Sequence, residues 1–206
     1  MPTSIAHMIG GYTAVELAGA KPGHDARARI LWVLGLSIVA ANAPDLDFLP
    51  GLVTGTSTAF HRGPTHSLLA TLLVPLLLAL VTRRRSGAPW AVFLAGAAAY
   101  GSHVLLDLLV PDPLGDGGLR LFWPFSPQIV RWQLGWLESL DSLRAVDAVG
   151  LNVSFVRTLL SAAGVRVFLV DAIVVAPLLL LVPLARGLRR FRRAAGATPA
   201  RPANAG

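Results

Sequence analysis

Two histidines in "HRGPTHS", His61 and His66, stand either side of an arginine, a Gly-Pro pair and a threonine, immediately before a long apolar run. This is either a turn that happens to contain imidazoles or part of a metal site. The other residues able to ligate a hard or borderline cation are His7, Asp45 and Asp47 in "NAPDLD", and His103 and Asp107 in "HVLLD". His103 and Asp107 are four apart, so on a helix both side chains leave the same face. A charge on an apolar helix costs a few kcal/mol by insertion scales and normally faces protein or a cavity, with a partner. In "NAPDLD", Pro44 disfavours the helical conformation at Ala43 and is expected to end a helix. Beyond that break, Asp45 and Asp47 can both turn toward one cation. Gly63 and Pro64 prevent a continuous helix through "HRGPTH", which leaves His61 on a loop and His66 in the first turn of the next segment. Mixed His/Asp ligation suits Zn first, with Mn or Fe as alternatives, better than Mg or Ca.

Each fragment also has a plainer reading. A lone His-x-x-x-Asp is a weak signal, and "PDLD" is more often a turn or helix stop. His66 can cap or pack, Ser67 can serve the helix start, and Arg62 can be a solvated loop charge. His24 lies among basic residues, Glu16 reads as a helix-end polar group, and Asp112 and Asp116 read as turn residues. The combination is more informative than any member, and the elements that carry it show why.

The chain has 206 residues, 54% hydrophobic and 14% charged, against about 25% charged in a typical globular protein. Its mean hydropathy is +0.61. The net charge of +7 is concentrated in clusters: Lys21, Arg27 and Arg29, then Arg83 to Arg85, then Arg186 to Arg193. Each cluster abuts an apolar run, as cytoplasmic flanks of membrane helices do. Nucleic acid is therefore not the expected partner; the lipid bilayer is. No cysteine is present, which excludes disulfides and thiolate ligands. The first 20 residues lack a basic n-region and carry His7 and Glu16, so they read as part of the mature protein.

Five apolar segments emerge: Ser4–Ala20, Ile30–Ala43, Leu68–Thr82, Pro89–Val110 and Val167–Ala185. The last two reach the roughly 20 residues that a bilayer requires. With the three basic clusters placed inside, the five segments thread without conflict, N-terminus outside and C-terminus inside. The expected fold is an all-α polytopic membrane bundle of about five apolar segments with a metal site near one membrane face. Residues 1–193 form the membrane-embedded domain and residues 194–206, rich in Ala, Pro and Gly, a disordered tail. The expected location is a bacterial-type inner membrane with a cytoplasmic C-terminus.

Helix rise supplies a test of depth. Arg29 to Asp45 is 16 residues, Arg83 back to His66 is 17, and both Pro89 to His103 and Lys21 back to His7 are 14. At about 1.5 Å per residue these are all roughly 21–26 Å, so all four fragments reach nearly one height, near the outer interface of a core about 30 Å thick. Asp171, 15 residues before Arg186, lies at the same height, which nominates it as a further ligand, a base or an outer carboxylate. Between the last two segments, "PDPLGDGGLRLFWPFS" reads as loop. Phe122, Trp123, Phe125, Trp132 and Trp136 suit either an interfacial belt or the core of a small subdomain. Residues Glu138 to Ala148 and Asn152 to Ala163 suit amphipathic helices over the site.

"NAPDLDFL", "HRGPTHSLL", "HVLLDLL" and "LFWPFS", in this order, resemble the YdjM-like family of membrane-bound metal-dependent hydrolases, some of whose members are regulated by LexA. The motifs span His7 to about Ser126. The ligand order is also similar to that of the zinc phospholipase C and P1 nuclease group: an early His, an Asp, a His about fourteen residues on, then a His-x-x-x-Asp. His7, Asp47, His61, His103 and Asp107 match it. The resemblance implies an α-helical, phosphoesterase-like metal site. The group's second helical His-x-x-x-Asp/Glu is missing here, since no histidine follows His103. One or two ions are therefore expected instead of three. The insert "PDPLGDGG" also departs in being acidic and irregular.

The reading that follows is a membrane-bound metal-dependent hydrolase, a phosphoesterase acting on a lipid headgroup or lipid-linked substrate through metal-activated water. His7, Asp45, Asp47, His61, His103 and Asp107 are the expected ligands, with Asp107 best able to bridge. Arg62 offers a planar fork to a phosphate, His66 is a ligand or general acid/base, and Asp171 supports the chemistry. The main rival is a non-enzymatic, metal-stabilised membrane protein that binds partners at the envelope, its ligands forming a closed structural site. Metal transport would need a polar path toward the inside, which the third and fifth segments lack. A soluble all-helical enzyme would fail to partition with membranes.

Overall fold

The computed structural model describes residues 3–20, 22, 25–54, 60–109, 118–131 and 162–196. The apolar runs become helices, and local capping chemistry sets their ends. Helix α1 (Ser4–Ala18) starts at Thr3, whose hydroxyl accepts the Ala6 amide, and stops at Gly19, where φ is 67°. That left-handed conformation is cheap for glycine, so it ends the helix. Helix α2 (Ala26–Asn42) starts at Asp25, which accepts the Ala28 N–H at 2.7 Å.

The α-helix ends at Asn42, as "NAPDLD" leads one to expect, but Pro44 does not break the helical run. Ala43 stays helical, and the chain tightens into a 3-10 turn over Ala43–Asp47 before running on as α3 (Phe48–Thr54). Proline lacks an N–H but fits the first positions of a new helical turn. A second 3-10 turn, Pro64–His66, precedes α4 (Leu68–Ser86), so His66 sits just outside the helix. Ser67 caps α4 by accepting the Ala70 N–H at 3.1 Å, as the helix-start reading anticipates. Helix α5 (Pro89–Leu109) follows the tight turn at Gly87. The last run is α6 (Ala162–Val175), a 3-10 turn at Ala176–Leu180, and α7 (Leu181–Gly196). Helix α7 therefore takes in the first three residues of the expected tail.

Helix α5 is the hub, packing on α1, α2 and α4, while α6 and α7 lie against α1. The core at the hub is made of small residues, Ala95 and Ala99 of α5 with Val15, Val33, Leu36, Ala40 and Ala41. Small side chains let helix backbones approach closely where lipid supplies no hydrophobic drive. Gly11 shows how close: a Cβ there would lie 2.5 Å from that of Ala41.

The outer faces are apolar. Ile30, Leu31, Val39, Leu77, Val81, Ile173, Leu180 and Leu184 are all exposed, a pattern that fits lipid contact better than water. Among the described residues, three continuous helical runs are long and apolar enough to cross a membrane: Ala26–Gly51, Pro89–Leu109 and Leu169–Ala195. Helix α1 has 15 residues, fewer than a span needs, and every 18-residue stretch of α4 includes Arg83, Arg84 and Arg85.

Among the described residues there is no strand, only one antiparallel bridge, Leu119 to Val130. Its loop closes the end of the bundle that holds the motifs. Leu119 is fully buried against Tyr100 and Val104, and the Leu121 carbonyl accepts the Leu68 N–H at 2.9 Å. Phe122, Trp123 and Phe125 are exposed, which favours the interfacial-belt reading for these three. Lys21, His24, Asp112, Asp116, Trp132, Trp136, the expected helix Glu138–Ala148 and all but the last two residues of the expected helix Asn152–Ala163 lie outside the described residues.

Candidate metal centre

The four sequence fragments meet at one end of the bundle. His7 comes from the first turns of α1, Asp45 and Asp47 from the turn after α2, His61 to His66 from the approach to α4, and His103 and Asp107 from the last turns of α5. Asp45, His66, His103 and Asp107 each offer one donor atom, all within 4.8 Å of one another. His66, His103 and Asp107 are almost wholly buried; Asp45 keeps 16% of its side chain exposed.

Their separations test whether an ion fits. His66 Nε2 lies 3.1 Å from Asp107 Oδ2, 3.2 Å from His103 Nε2 and 3.7 Å from Asp45 Oδ1. His103 Nε2 lies 3.5 Å from Asp107 Oδ2 and 3.4 Å from Asp45 Oδ1. Ligands about 2.1 Å from a tetrahedral zinc stand about 3.4 Å apart. These five separations scatter around that value. The hydrogen bonding of the polar atoms bears on the same question. His7 Nδ1 and Nε2, Asp45 Oδ1, His61 Nε2 and both Asp107 oxygens are buried without a hydrogen bond. The Asp107 oxygens are close enough to His66, His103 and Arg62 for ion pairing, yet the angles do not make hydrogen bonds. Buried polar atoms are normally satisfied, so a group of unsatisfied ones in an apolar bundle fits a cation.

Tautomers follow from the outer contacts. The Ala41 carbonyl lies 2.7 Å from His103 Nδ1, so that nitrogen donates and Nε2 keeps its lone pair for the cluster. His66 stands between two carboxylates, with Nε2 toward Asp107 and Nδ1 3.2 Å from Asp47 Oδ2. Ligating histidines are usually oriented through their second nitrogen in this way. Burial opposes charge on His66, but the carboxylates of Asp107, Asp45 and Asp47 close around the ring outweigh it and hold its pKa well above the ordinary imidazole value.

Asp45 and Asp47 do not turn to one cation as expected. In a 3-10 turn, positions two apart point about 120° apart. Asp45 therefore faces His103 and Asp107, while Asp47 joins His61 and His66 in a second group. Asp47 Oδ1 is 3.0 Å from His61 Nδ1, and the Thr65 hydroxyl donates to Asp47 Oδ2 at 2.6 Å. The His61 ring stacks on Phe48 at 3.9 Å. His7 stacks on His103 at 3.6 Å, and its Nε2 is 3.6 Å from Asp107 Oδ1.

Arg62 is buried, not a solvated loop charge. Its Nη2 is 3.1 Å from Asp107 Oδ1, and its φ is 58°. A non-glycine residue held in the left-handed region carries about 1–2 kcal/mol of strain, here where the side chain is aimed inward. Asp171 stands apart from both groups: its carboxylate accepts the Thr3 N–H at 2.6 Å, four residues before His7. Thr65, Tyr100 and the Ala41 carbonyl were not singled out in the sequence. Tyr100, whose hydroxyl donates to the Thr65 carbonyl at 2.7 Å, precedes His103 by one helical turn, which is a usable signal. The Ala41 carbonyl has no side-chain signature at all.

At the opposite end, Glu16 meets Arg186 at 2.8 Å and Arg189 donates to the Glu16 and Leu17 carbonyls. The depth count, with the His and Asp fragments at one end and basic residues at the other, matches this arrangement.

A family model described as YdjM inner membrane protein matches residues 1–191. No curated protein matches the chain, and no solved structure does.

Proposed function

We propose, from the premise that this chain belongs to the YdjM inner membrane protein family, that it is a metal-dependent hydrolase acting on a phosphoester of a lipid or lipid-linked substrate. The observation that carries the reading is the buried set Asp45, His66, His103 and Asp107, spaced as a tetrahedral ion requires. These four residues would hold one ion, with Zn first among candidates. When bound, it would acidify water and neutralise phosphoester charge. A second ion among Asp47, His61 and His66 Nδ1 would have to displace the hydrogen bonds that Asp47 makes with Thr65 and His61. One ion is therefore the simpler occupancy, with Asp47 orienting His66.

The chain's own residues supply the rest. Asp45, the most open member, marks the side from which substrate approaches. Arg62, already charge-paired with Asp107, presents a planar fork suited to a phosphate oxygen. His61, oriented by Asp47 and stacked on Phe48, has Nε2 free of any hydrogen bond and is placed to take a proton. His7 lies against Asp107 and His103 as a fifth donor. Asp171 acts through Thr3, fixing the start of the helix that carries His7. The basic end is the cytoplasmic face by the distribution of Arg83–Arg85 and Arg186–Arg193, which puts the centre toward the outer leaflet.

The burial of His66, His103 and Asp107 favours a second reading, a closed structural ion in a non-enzymatic envelope protein. Metal analysis of the detergent-purified chain, beside His103→Ala and Asp107→Ala, tests both. Near-stoichiometric metal lost in the variants, with phosphate released from lipid phosphoesters by wild type alone, supports the hydrolase. Metal with no release across a phosphoester panel supports the structural ion. No metal after Zn or Mn is offered removes both.

A further inference from the structure

The end of the bundle away from the metal centre holds a cavity of about 200 Å³ between α1, α2 and α7. Arg29, Arg186, Arg189 and Glu16 line it beside Val15, Val33, Gly19 and Ala20. Three guanidinium groups thus face one carboxylate. Two of the three already have partners: Arg186 pairs with Glu16, and Arg189 caps the C-terminal carbonyls of α1, the negative end of that helix. Arg29 differs. Among the described residues it has no ion-pair partner, and its Nε is buried without a hydrogen bond. A half-buried cation at the end of an apolar helix calls for an anion.

We propose that this cavity binds the phosphate of an anionic phospholipid headgroup. A guanidinium fork matches two phosphate oxygens, and basic pockets between membrane helices are a recurrent way of holding such headgroups. The surroundings select lipid over free phosphate. Leu17, Ile30 and Leu188, each next in sequence to Glu16, Arg29 or Arg189, are exposed apolar side chains on all three helices, placed to meet acyl chains. The cavity has room for a phosphodiester but not for a large polar ligand.

Native mass spectrometry of the full chain, released from nanodiscs of equimolar phosphatidylglycerol and phosphatidylcholine, tests the site. Wild type should retain one phosphatidylglycerol with about tenfold preference, since both lipids offer a phosphate but only phosphatidylcholine brings a quaternary ammonium toward three arginines and one carboxylate. Arg29→Gln should abolish the preference. Ala20→Phe, which fills the cavity without changing charge, should do the same. Arg84→Gln, on an exposed arginine outside the cavity, should leave it intact. Equal retention of the two lipids by wild type overturns the proposal. So does a preference that survives both cavity variants, or one that Arg84→Gln removes equally, which would mean diffuse charge attraction. Displacement of the lipid by millimolar inorganic phosphate overturns the lipid assignment in favour of a free-phosphate site.

Discussion

Gly11→Ala tests whether the close approach of α1 and α2 supports the metal centre. A Cβ at residue 11 would stand 2.5 Å from Ala41 Cβ and 3.3 Å from the Ser37 carbonyl. Carbon atoms prefer about 3.5–4.0 Å, so the helices must separate by roughly 1 Å or more. Overpacking of this kind costs about 1–3 kcal/mol, set against a helix-propensity gain of about 0.8–1 kcal/mol for alanine over glycine. Gly35 provides the control, since a Cβ there meets nothing within 4 Å. Gly35→Ala should therefore show the gain alone, and the two variants should differ by about 1–3 kcal/mol, at roughly 2–4 °C per kcal/mol in unfolding midpoint. The wedge also reaches the site. Ala41 supplies the carbonyl on His103 Nδ1, and α1 carries the His7 ring stacked on His103. Losing such outer support typically lowers metal affinity about 10–100-fold. The assays are thermal unfolding and zinc titration of both variants in detergent. A Gly11→Ala protein as stable as Gly35→Ala, with wild-type zinc affinity, would refute the reasoning.

Asp47→Asn keeps the shape behind His66 but removes the charge, so metal affinity should fall about 10–100-fold; unchanged affinity in a zinc titration would mean that Asp47 does not orient His66. Because neighbouring carboxylates hold the His66 pKa above its ordinary value, a proton competes with an ion up to a higher pH than for a free imidazole. Metal affinity should therefore rise with pH through the neutral range, with protons released on binding, and calorimetry in two buffers of different ionisation enthalpy counts them. Arg62→Gly tolerates the left-handed backbone while deleting the cation, so it should bind metal but lose about 10²–10³-fold in phosphoester turnover. Arg62→Ala should unfold at a lower temperature than Arg62→Gly, by about 1 kcal/mol of strain. Asp171→Asn should leave metal content unchanged if Asp171 acts through Thr3; loss of the ion would make it a ligand.

What the sequence made legible was whatever depends on local chemistry or on the constant rise of a helix. Thr3, Asp25 and Ser67 announce helix starts because their side chains reach back to amides within one turn. The counts from basic flank to His or Asp placed four fragments at one end of the bundle because 1.5 Å per residue holds along every helix. What stayed hidden depends on azimuth and on tertiary contact. The turn after Asn42 could equally have been a break, and only its 3-10 geometry sends Asp45 and Asp47 to different sides of His66. Arg62 could be read as a phosphate clamp or as a solvent charge, because nothing local shows that Asp107 lies beside it. The Ala41 carbonyl belongs to the backbone and leaves no mark on residue type.

Asp171 shows the limit of the depth argument most clearly, and also what that argument leaves to be explained. Height put it level with the ligands, yet its carboxylate meets the start of α1. The other end of α1 is held by Arg186 and Arg189 through Glu16 and Leu17. Helix α1 is too short to fix its own depth by hydrophobic length. The long run of α6 and α7 thus fixes it from both ends, through Asp171 at one and Arg186 and Arg189 at the other. This gives the last apolar segment, which contributes no member to either His/Asp group, a reason to carry a carboxylate near one end and arginines near the other: it sets the level at which His7 meets His103 and Asp107.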